Sequence, residues 1–134
     1  MRPPFRIEVR VYYQDTDAGG VVFHAQYLAF MERARTELLN AAGIDLAQLA
    51  EERRVMFFVH ELAVRYHRPA RLNEIVSVSA EVVKMGRASL VFRQRVERAD
   101  ELLVEAEVTL AVVDSERMRP ARMPEELRKV LVTT

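Results

Sequence analysis

One stretch of helix-spaced apolar residues lies between segments whose apolar residues alternate with polar ones, and this change of period constrains the fold most. The stretch begins at about residue 25 and ends before Gly43, a residue that commonly stops helices. Its apolar residues recur at steps of three and four: Tyr27, Leu28, Met31, Ala34, Leu38 and Ala42. The sequence therefore predicts one long amphipathic helix. A shorter helix should start at Asp45, which has capping-box spacing with Gln48.

The alternating segments predict strands on both sides of the long helix. Residues 5–13 alternate before it, and alternating runs continue after it as far as Asp114. Turn-forming residues divide these later runs at 69–73, 85–87 and 98–101. Short turns favour antiparallel neighbours, and the apolar face of such a sheet must be covered. The prediction is an α+β fold in which one long helix covers an antiparallel sheet of about five strands.

Composition narrows the class of protein. The length predicts a single domain over residues 1–134, and the absence of cysteine excludes disulfides and cysteine nucleophiles. Twenty basic and 20 acidic residues are interspersed, unlike the basic stripe of a nucleic-acid-binding protein. There is no apolar run of membrane-spanning or signal-peptide length, which predicts a cytoplasmic protein without an integral membrane segment. His60 and His67 form no metal-ligand spacing with nearby acids, so neither a metal nor a cofactor is expected.

The densest polar signal lies between the first strand and the long helix, at Asp15-Thr16-Asp17-Ala18-Gly19-Gly20. Glycine allows the backbone to approach a ligand closely, and the helix N-terminus that follows near residues 24–26 presents unpaired N–H groups. Such amides can stabilise the oxyanion of a carbonyl under attack. A thioester suits this arrangement because a thiol, with a pKa of about 8.5, leaves as thiolate without a general acid. The aspartate can attack directly or activate a water.

Residues 11–27 and 30–35 form a long motif that resembles the signature of hotdog thioesterases. The likeness is to the hydroxybenzoyl-CoA thioesterase family, and within it to the tol-pal system-associated acyl-CoA thioesterases. It extends through residues 69–72, 89–92 and 105–108, and so covers nearly the whole chain. The resemblance implies a hotdog fold, with the sheet wrapped around the long helix. It also implies hydrolysis of an acyl-CoA or acyl carrier protein thioester by a homodimer or homotetramer whose active sites lie between subunits.

The resemblance assigns roles to particular residues. Asp17, the second acid of the Asp-x-Asp pair, would be catalytic, and the backbone amide of His24 would bind the thioester oxygen. Arg87 matches a basic position that meets the phosphates of coenzyme A. The full set of substrate-binding candidates is Tyr13, Gly19, Val21, Tyr27, Arg87 and Ser89. The hydroxybenzoyl branch carries tyrosine where this chain has His24, which argues against an aromatic acyl group.

Purely structural roles for some of these residues, and other functions for the whole chain, are alternatives to these assignments. Asp15 is expected to bond loop amides, and Thr16 to satisfy the loop backbone. The same fold can host a dehydratase or hydratase, which would require a histidine–acid pair acting at carbon. An acyl-carrier-binding or envelope-associated scaffold is a third possibility. The retention of Asp17 beside two glycines favours thioester hydrolysis over both.

Overall fold

A computed structural model describes residues 3–132 of the chain, and the alternating segments form one antiparallel sheet in it. The strands are β1 (Phe5–Arg10), β2 (Val55–Tyr66), β3 (Ile75–Met85), β4 (Ser89–Arg98), β5 (Glu101–Asp114) and the two-residue β6 (Arg119–Pro120). The helices are α1 (Gln26–Ala41), α2 (Leu46–Arg53) and α3 (Glu125–Val132).

The sheet has the strand order β1-β3-β4-β5-β2, with β6 paired to the end of β5. Its inner face and the buried face of α1 share one apolar core, which includes Phe30, Met31, Val78, Phe92, Val96 and Val108. Because successive side chains of a strand point to opposite faces of the sheet, every second residue of the central strands points into this core. This is the α+β hotdog arrangement expected from the sequence, with five main strands around one long helix.

Local signals end α1 and start α2 as predicted. Gly43 has a φ of +83°, the left-handed conformation that closes many helices. Oδ1 of Asp45 accepts the N–H groups of Ala47 and Gln48 at 2.9 and 3.1 Å, so Asp45 caps α2. The side chain of Gln48 bonds Glu52 instead of returning to Asp45. The cap is therefore confirmed as an aspartate N-cap without the reciprocal half of the box.

The first strand is shorter than the predicted 5–13. It ends at Arg10, and residues Tyr13–Asp15 form a single 3₁₀ turn. The buried carboxylate of Asp15 accepts the N–H of Tyr12 at 2.8 Å, which turns the chain away from the sheet. As a result Tyr13 is 82% exposed, although its period placed it on the buried face.

The expectation that β2 and β3 are neighbours is wrong. β2 lies at one edge of the sheet beside β5, and β3 lies second from the other edge. Their connection, residues 67–74, crosses the end of the sheet and finishes in a turn, where the N–H of Glu74 donates to the carbonyl of Arg71 at 3.1 Å and Asn73 has a φ of +69°. Eight residues can span about 26 Å, whereas three strand spacings need only about 14 Å. A short connection therefore need not join adjacent strands once the sheet is curled around a helix.

Candidate active site

A small antiparallel ladder holds the loop between β1 and α1. The N–H of Phe23 donates to the carbonyl of Asp15 at 2.9 Å, and the N–H of Asp17 donates to the carbonyl of Val21 at 2.9 Å. Thr16 and Val22 form the bridge between these two bonds. Asp17 consequently lies at the tip of a fixed loop, opposite Val21, and the returning limb leads directly into α1.

The carboxylate of Asp17 is exposed at this tip. Its Oδ1 accepts the N–H of Gly19 at 2.8 Å, which orients the carboxylate and leaves Oδ2 without a bond to any described residue. A Cβ at Gly19 would lie 3.2 Å from that same Oδ1, and Gly20 has a φ of +78°. The two glycines thus permit the tight turn that presents Asp17 to solvent.

Asp15 and Thr16 have the structural roles expected of them. Asp15 is 4% exposed; its Oδ2 accepts the N–H of Tyr12, and its Oδ1 accepts Nε2 of Gln26 at 2.9 Å. The Thr16 hydroxyl donates to the carbonyl of Tyr13 at 2.7 Å. Asp15 therefore ties the loop to the first residue of α1, and its carboxylate is already occupied.

The entrance of α1 presents unpaired amides at residues 24 and 25, whereas the N–H of Gln26, in the same predicted range, donates to the carbonyl of Phe23 at 2.8 Å. Within residues 3–132, no group accepts the N–H of His24 or that of Ala25. Neither amide has an intrahelical partner because both precede the first full helical turn. These N–H groups follow the returning limb of the Asp17 loop, so a carboxylate and free amide donors share one corner of the fold.

A cavity of about 290 Å³ opens beside the helix entrance. It is lined by Val22, His24, Tyr27, Tyr66, His67, Arg68 and Pro69. Tyr27 is 3% exposed, and its hydroxyl oxygen accepts the N–H of the fully buried Ala70 at 2.9 Å. Burial raises the pKa of Tyr27, so it stays a neutral structural group at the back of the cavity.

The cavity wall contributes Tyr66, which the sequence did not single out, and His67, for which the sequence indicated no partner. Tyr66, at the end of β2, donates its hydroxyl to the carbonyl of His24 at 2.8 Å. His67 Nε2 lies 2.7 Å from Oε2 of Glu105. Both partners are far away in the sequence, and an exposed aromatic at a strand end gives no local sign of such a bond.

An ion cluster holds the crossing segment 67–74 in place. Arg98 bonds Glu74 at 2.7 Å, Glu101, and the carbonyl of Pro69 at 3.2 Å. Burial alone would raise the pKa of Glu74, but the N–H of Arg71 and the Arg98 guanidinium together hold that pKa below its ordinary value. The segment in turn supports the Asp17 loop, because the N–H of Val22 donates to the carbonyl of Ala70 at 2.9 Å.

Two of the predicted binding residues lie elsewhere in the chain. Arg10 of β1 pairs with Ile75, so the Asp17 loop is at the start of β3, whereas Arg87 and Ser89 follow its end. β3 has 11 residues, which at about 3.3 Å per residue separates the two groups by roughly 35 Å. The fold therefore places Asp17, Gly19, Val21 and His24 in one loop, with Tyr13 at its start and Tyr27 in the first turn of α1, but within one chain it does not bring Arg87 or Ser89 to them.

Residues 3–132 contain no cluster of three or more acidic or histidine side chains able to hold a metal ion. No helix in the same range is both long enough and apolar enough to cross a bilayer.

Comparison with known proteins identifies the family of the chain. The model of the thioesterase superfamily matches residues 19–105, which includes α1, the crossing segment and most of the sheet. The chain belongs to the thioesterase superfamily. The matched region starts just after Asp17, so the family assignment depends on the helix and sheet and not on that carboxylate.

Individual thioesterases support the same placement. The acyl-CoA thioester hydrolase YbgC of Escherichia coli O6:H1 is 48% identical over 124 residues, which are 92% of each chain. The acyl-CoA thioesterase YbgC of Haemophilus influenzae is 44% identical over 92% of this chain and 91% of its own. The crystal structure of a 1,4-dihydroxy-2-naphthoyl-CoA thioesterase from Synechocystis superposes with a TM-score of 0.89 over 97% of this chain and 96% of its own, at 18% identity. That last likeness shows the fold alone. This thioesterase is therefore an enzyme with a hotdog fold.

Proposed function

We propose that this thioesterase hydrolyses acyl-CoA thioesters with Asp17 as its catalytic carboxylate and the His24 amide as an oxyanion donor. The observation that carries the proposal is the ladder between Asp15 and Phe23, which holds an exposed carboxylate and an unpaired helix-entrance amide in one rigid loop. The names of the two YbgC relatives support an acyl-CoA substrate. A coenzyme A thioester would meet the enzyme in the cytoplasm, the compartment expected from the sequence.

The chemistry follows from these two groups. Asp17 acts on the thioester carbon, either as the nucleophile or as the base that takes a proton from water. Negative charge then develops on the carbonyl oxygen, where the His24 N–H and the positive end of α1 stabilise it. Collapse of this intermediate breaks the C–S bond and expels the thiolate. If Asp17 is the base, the proton that it took from water passes to the thiolate. If Asp17 is the nucleophile, collapse leaves an anhydride between Asp17 and the acyl group, which water then hydrolyses. The net reaction consumes one water and releases the carboxylic acid and the thiol.

Replacement of the carboxylate by an amide tests the role of Asp17. We expect Asp17→Asn to fold normally and to lose about 100-fold or more in kcat, because an amide is neither a base nor a nucleophile. Acyl-CoAs of increasing chain length, and the corresponding acyl carrier protein thioesters, would be used as substrates. Asp100→Asn is the matched control, since Asp100 is exposed in the β4–β5 turn. Activity of Asp17→Asn within a few-fold of wild type would show that another group is catalytic.

We further propose that two copies pair and complete each site. β2 has one open edge and exposes Phe58, Val59 and Leu62 by 36%, 53% and 39%. An open apolar edge strand favours antiparallel pairing with a second β2. A twofold axis through that pairing would bring the Arg87 end of one copy beside the Asp17 end of the other. Arg87 could then meet the phosphates of a coenzyme A thioester bound at the partner's loop.

Mixing two defective variants tests this sharing of sites. Arg87→Glu should raise KM for acyl-CoA with little change in kcat, because the phosphates lie far from the reacting carbonyl. If Arg87 acts across the interface, a heterodimer of Asp17→Asn with Arg87→Glu contains one site with both residues intact. Refolding the two variants together should then restore a low KM and a wild-type kcat at a fraction of the sites. If Arg87 serves its own protomer, or if active monomers sediment alone, no such recovery will occur.

A further inference from the structure

The hydroxyl of Tyr66 fixes one particular peptide at the entrance of α1. It donates to the carbonyl of His24 at 2.8 Å, across 42 residues of sequence. That carbonyl is available because the N–H of Leu28 bonds the carbonyl of Ala25 at 3.1 Å. In a regular helix Leu28 would have bonded His24. The hydroxyl of Tyr66 therefore bonds the His24 carbonyl, which accepts no hydrogen bond from the first turn of α1.

The held carbonyl determines the direction of an N–H group. The His24 carbonyl and the Ala25 N–H belong to one planar trans peptide, in which they point in opposite directions. Ala25 has φ −74° and ψ −19°, so its own backbone already has helical geometry. The bond from Tyr66 consequently fixes the direction of the Ala25 N–H, which points opposite to the His24 carbonyl and has no acceptor among residues 3–132.

The preceding peptide is held in the same way. The carbonyl of Phe23 accepts the N–H of Gln26 at 2.8 Å, and this carbonyl shares a peptide plane with the N–H of His24. Two successive peptides thus have their carbonyls bonded and their N–H groups without an acceptor among residues 3–132. One is anchored by the helix itself, and the other is anchored only by Tyr66.

The surroundings of Tyr66 suit a positioning group. Its ring lies edge-on to those of Tyr27 and His24, with centroids 5.8 and 6.4 Å away. Tyr27 is in turn fixed by the N–H of Ala70. The ring is 47% exposed and lines the cavity beside the helix entrance. Packing sets the direction of the hydroxyl, while the remaining exposure leaves room for substrate alongside.

We propose that Tyr66 is a positioning residue that makes Ala25 N–H a second oxyanion donor beside His24 N–H. The inference rests on the proposed hydrolysis and deepens it by adding a donor and the side chain that aligns it. Two donors suit the thioester oxygen, which has two lone pairs as a carbonyl and gains a third, with the negative charge, as an oxyanion. Tyr66 does not touch the reacting atoms, and acts through the peptide that it holds.

Tyr66→Phe tests the proposal, because it keeps the ring and deletes the hydroxyl. Complete loss of an oxyanion donor costs about 10²–10³ in kcat, and misalignment should cost less, on the order of 10-fold, with KM nearly unchanged. Tyr12→Phe is the matched control, since the Tyr12 ring is 58% exposed and lies outside these contacts. The predicted drop in kcat must appear in Tyr66→Phe and not in Tyr12→Phe.

A pair of inert substrate analogues separates positioning from mere structural support. One is a ketone in which a methylene replaces the thioester sulfur, and the other is a thioether in which a methylene replaces the carbonyl. Only the ketone offers an oxygen to the amides. We expect Tyr66→Phe to weaken ketone binding several-fold relative to thioether binding, and equal weakening of both would overturn the proposal.

Replacing Ala25 with lactic acid, which exchanges its N–H for an ester oxygen, completes the test. If Tyr66 acts through Ala25, the Tyr66→Phe change should add little to the loss caused by the ester, because the two losses share one pathway. Full additivity would refute this coupling. The analogue measurements can be repeated in Asp17→Asn, so an error in the assignment of Asp17 would show as retained turnover without altering the result for Tyr66.

Discussion

The buried pair of Arg35 and Gln94 provides a quantitative test of what holds α1 against the sheet. Gln94 of β4 is fully buried, and Arg35 of α1 is 8% exposed. Oε1 of Gln94 accepts Nη1 of Arg35 at 2.8 Å, while its Nε2 donates to the carbonyls of Met31 and Ser79 at 2.9 and 3.1 Å. Burial lowers the pKa of Arg35, although Glu32 opposes that shift. The guanidinium therefore depends on Gln94 for compensation inside the core.

Gln94→Leu should destabilise the protein strongly. It leaves a buried guanidinium without its acceptor, and an unsatisfied buried polar group costs about 1–3 kcal/mol, more when it is charged, so we expect a loss of about 3 kcal/mol. Replacing both partners with apolar groups of similar shape is close to neutral. Arg35→Met leaves Oε1 of Gln94 without its donor and should cost about 1–2 kcal/mol, so the two single losses sum to about 4–5 kcal/mol. We expect the double variant Arg35→Met with Gln94→Leu to lie within about 1–2 kcal/mol of wild type, which implies a coupling of about 2–4 kcal/mol.

Urea unfolding of the four proteins in this cycle measures the coupling. Arg33→Met is the control for the loss of an arginine from α1, because Arg33 is exposed and its replacement should change stability by less than about 0.5 kcal/mol. A double variant whose loss equals the sum of the two single losses would refute the account. The arginine and the glutamine would then contribute independently.

Two further predictions concern the β4–β5 turn and the ion cluster on the crossing segment. Ala99 has a φ of +52°, so Ala99→Gly should stabilise the protein by about 1 kcal/mol and raise its melting temperature by a few degrees; a lower melting temperature would contradict this. The pKa of Glu74 is lowered in the folded state, so its contribution is complete above its ordinary pKa of about 4.3 and disappears as the pH falls through the lowered value. The stability difference between wild type and Glu74→Gln should therefore shrink below about pH 4, and a difference that stays constant from neutral pH to about pH 3 would refute it.

The parts of the fold that sequence predicted are those fixed by neighbouring residues. Periodicity identified α1 and the main strands because burial repeats every 3.6 or 2 residues along a single element. The Asp17 loop was recognisable because its acids and glycines are adjacent. The bond from Tyr66 to His24 was not, since the sequence between them carries no sign that the two meet.

Misplaced boundaries have an equally physical origin. Alternation alone would continue β1 to residue 13. The strand ends earlier because the Tyr12 N–H donates to the Asp15 carboxylate and not to a neighbouring strand. The adjacency of β2 and β3 was wrong because a curled sheet brings distant edges within reach of a short connection. Likewise, the sequence of α1 does not distinguish the buried Arg35 from the exposed Arg33. Its burial depends on contact with Gln94 of β4, which is distant in the sequence.

The crossing segment also sets the order in which the chain can assemble. β3, β4 and β5 are joined by tight turns, so their pairing closes only short loops, whereas Phe5 must find Ala80 and Val55 must find Asp114. The segment between β2 and β3 bonds Val11 on one side and Val22 on the other, and both partners are far away in the sequence, so these bonds close long loops at a high cost in entropy. Refolding should therefore bury most of the core before the loop that carries Asp17 is secured. Recovery of catalysis would then follow recovery of the sheet as the last kinetic phase.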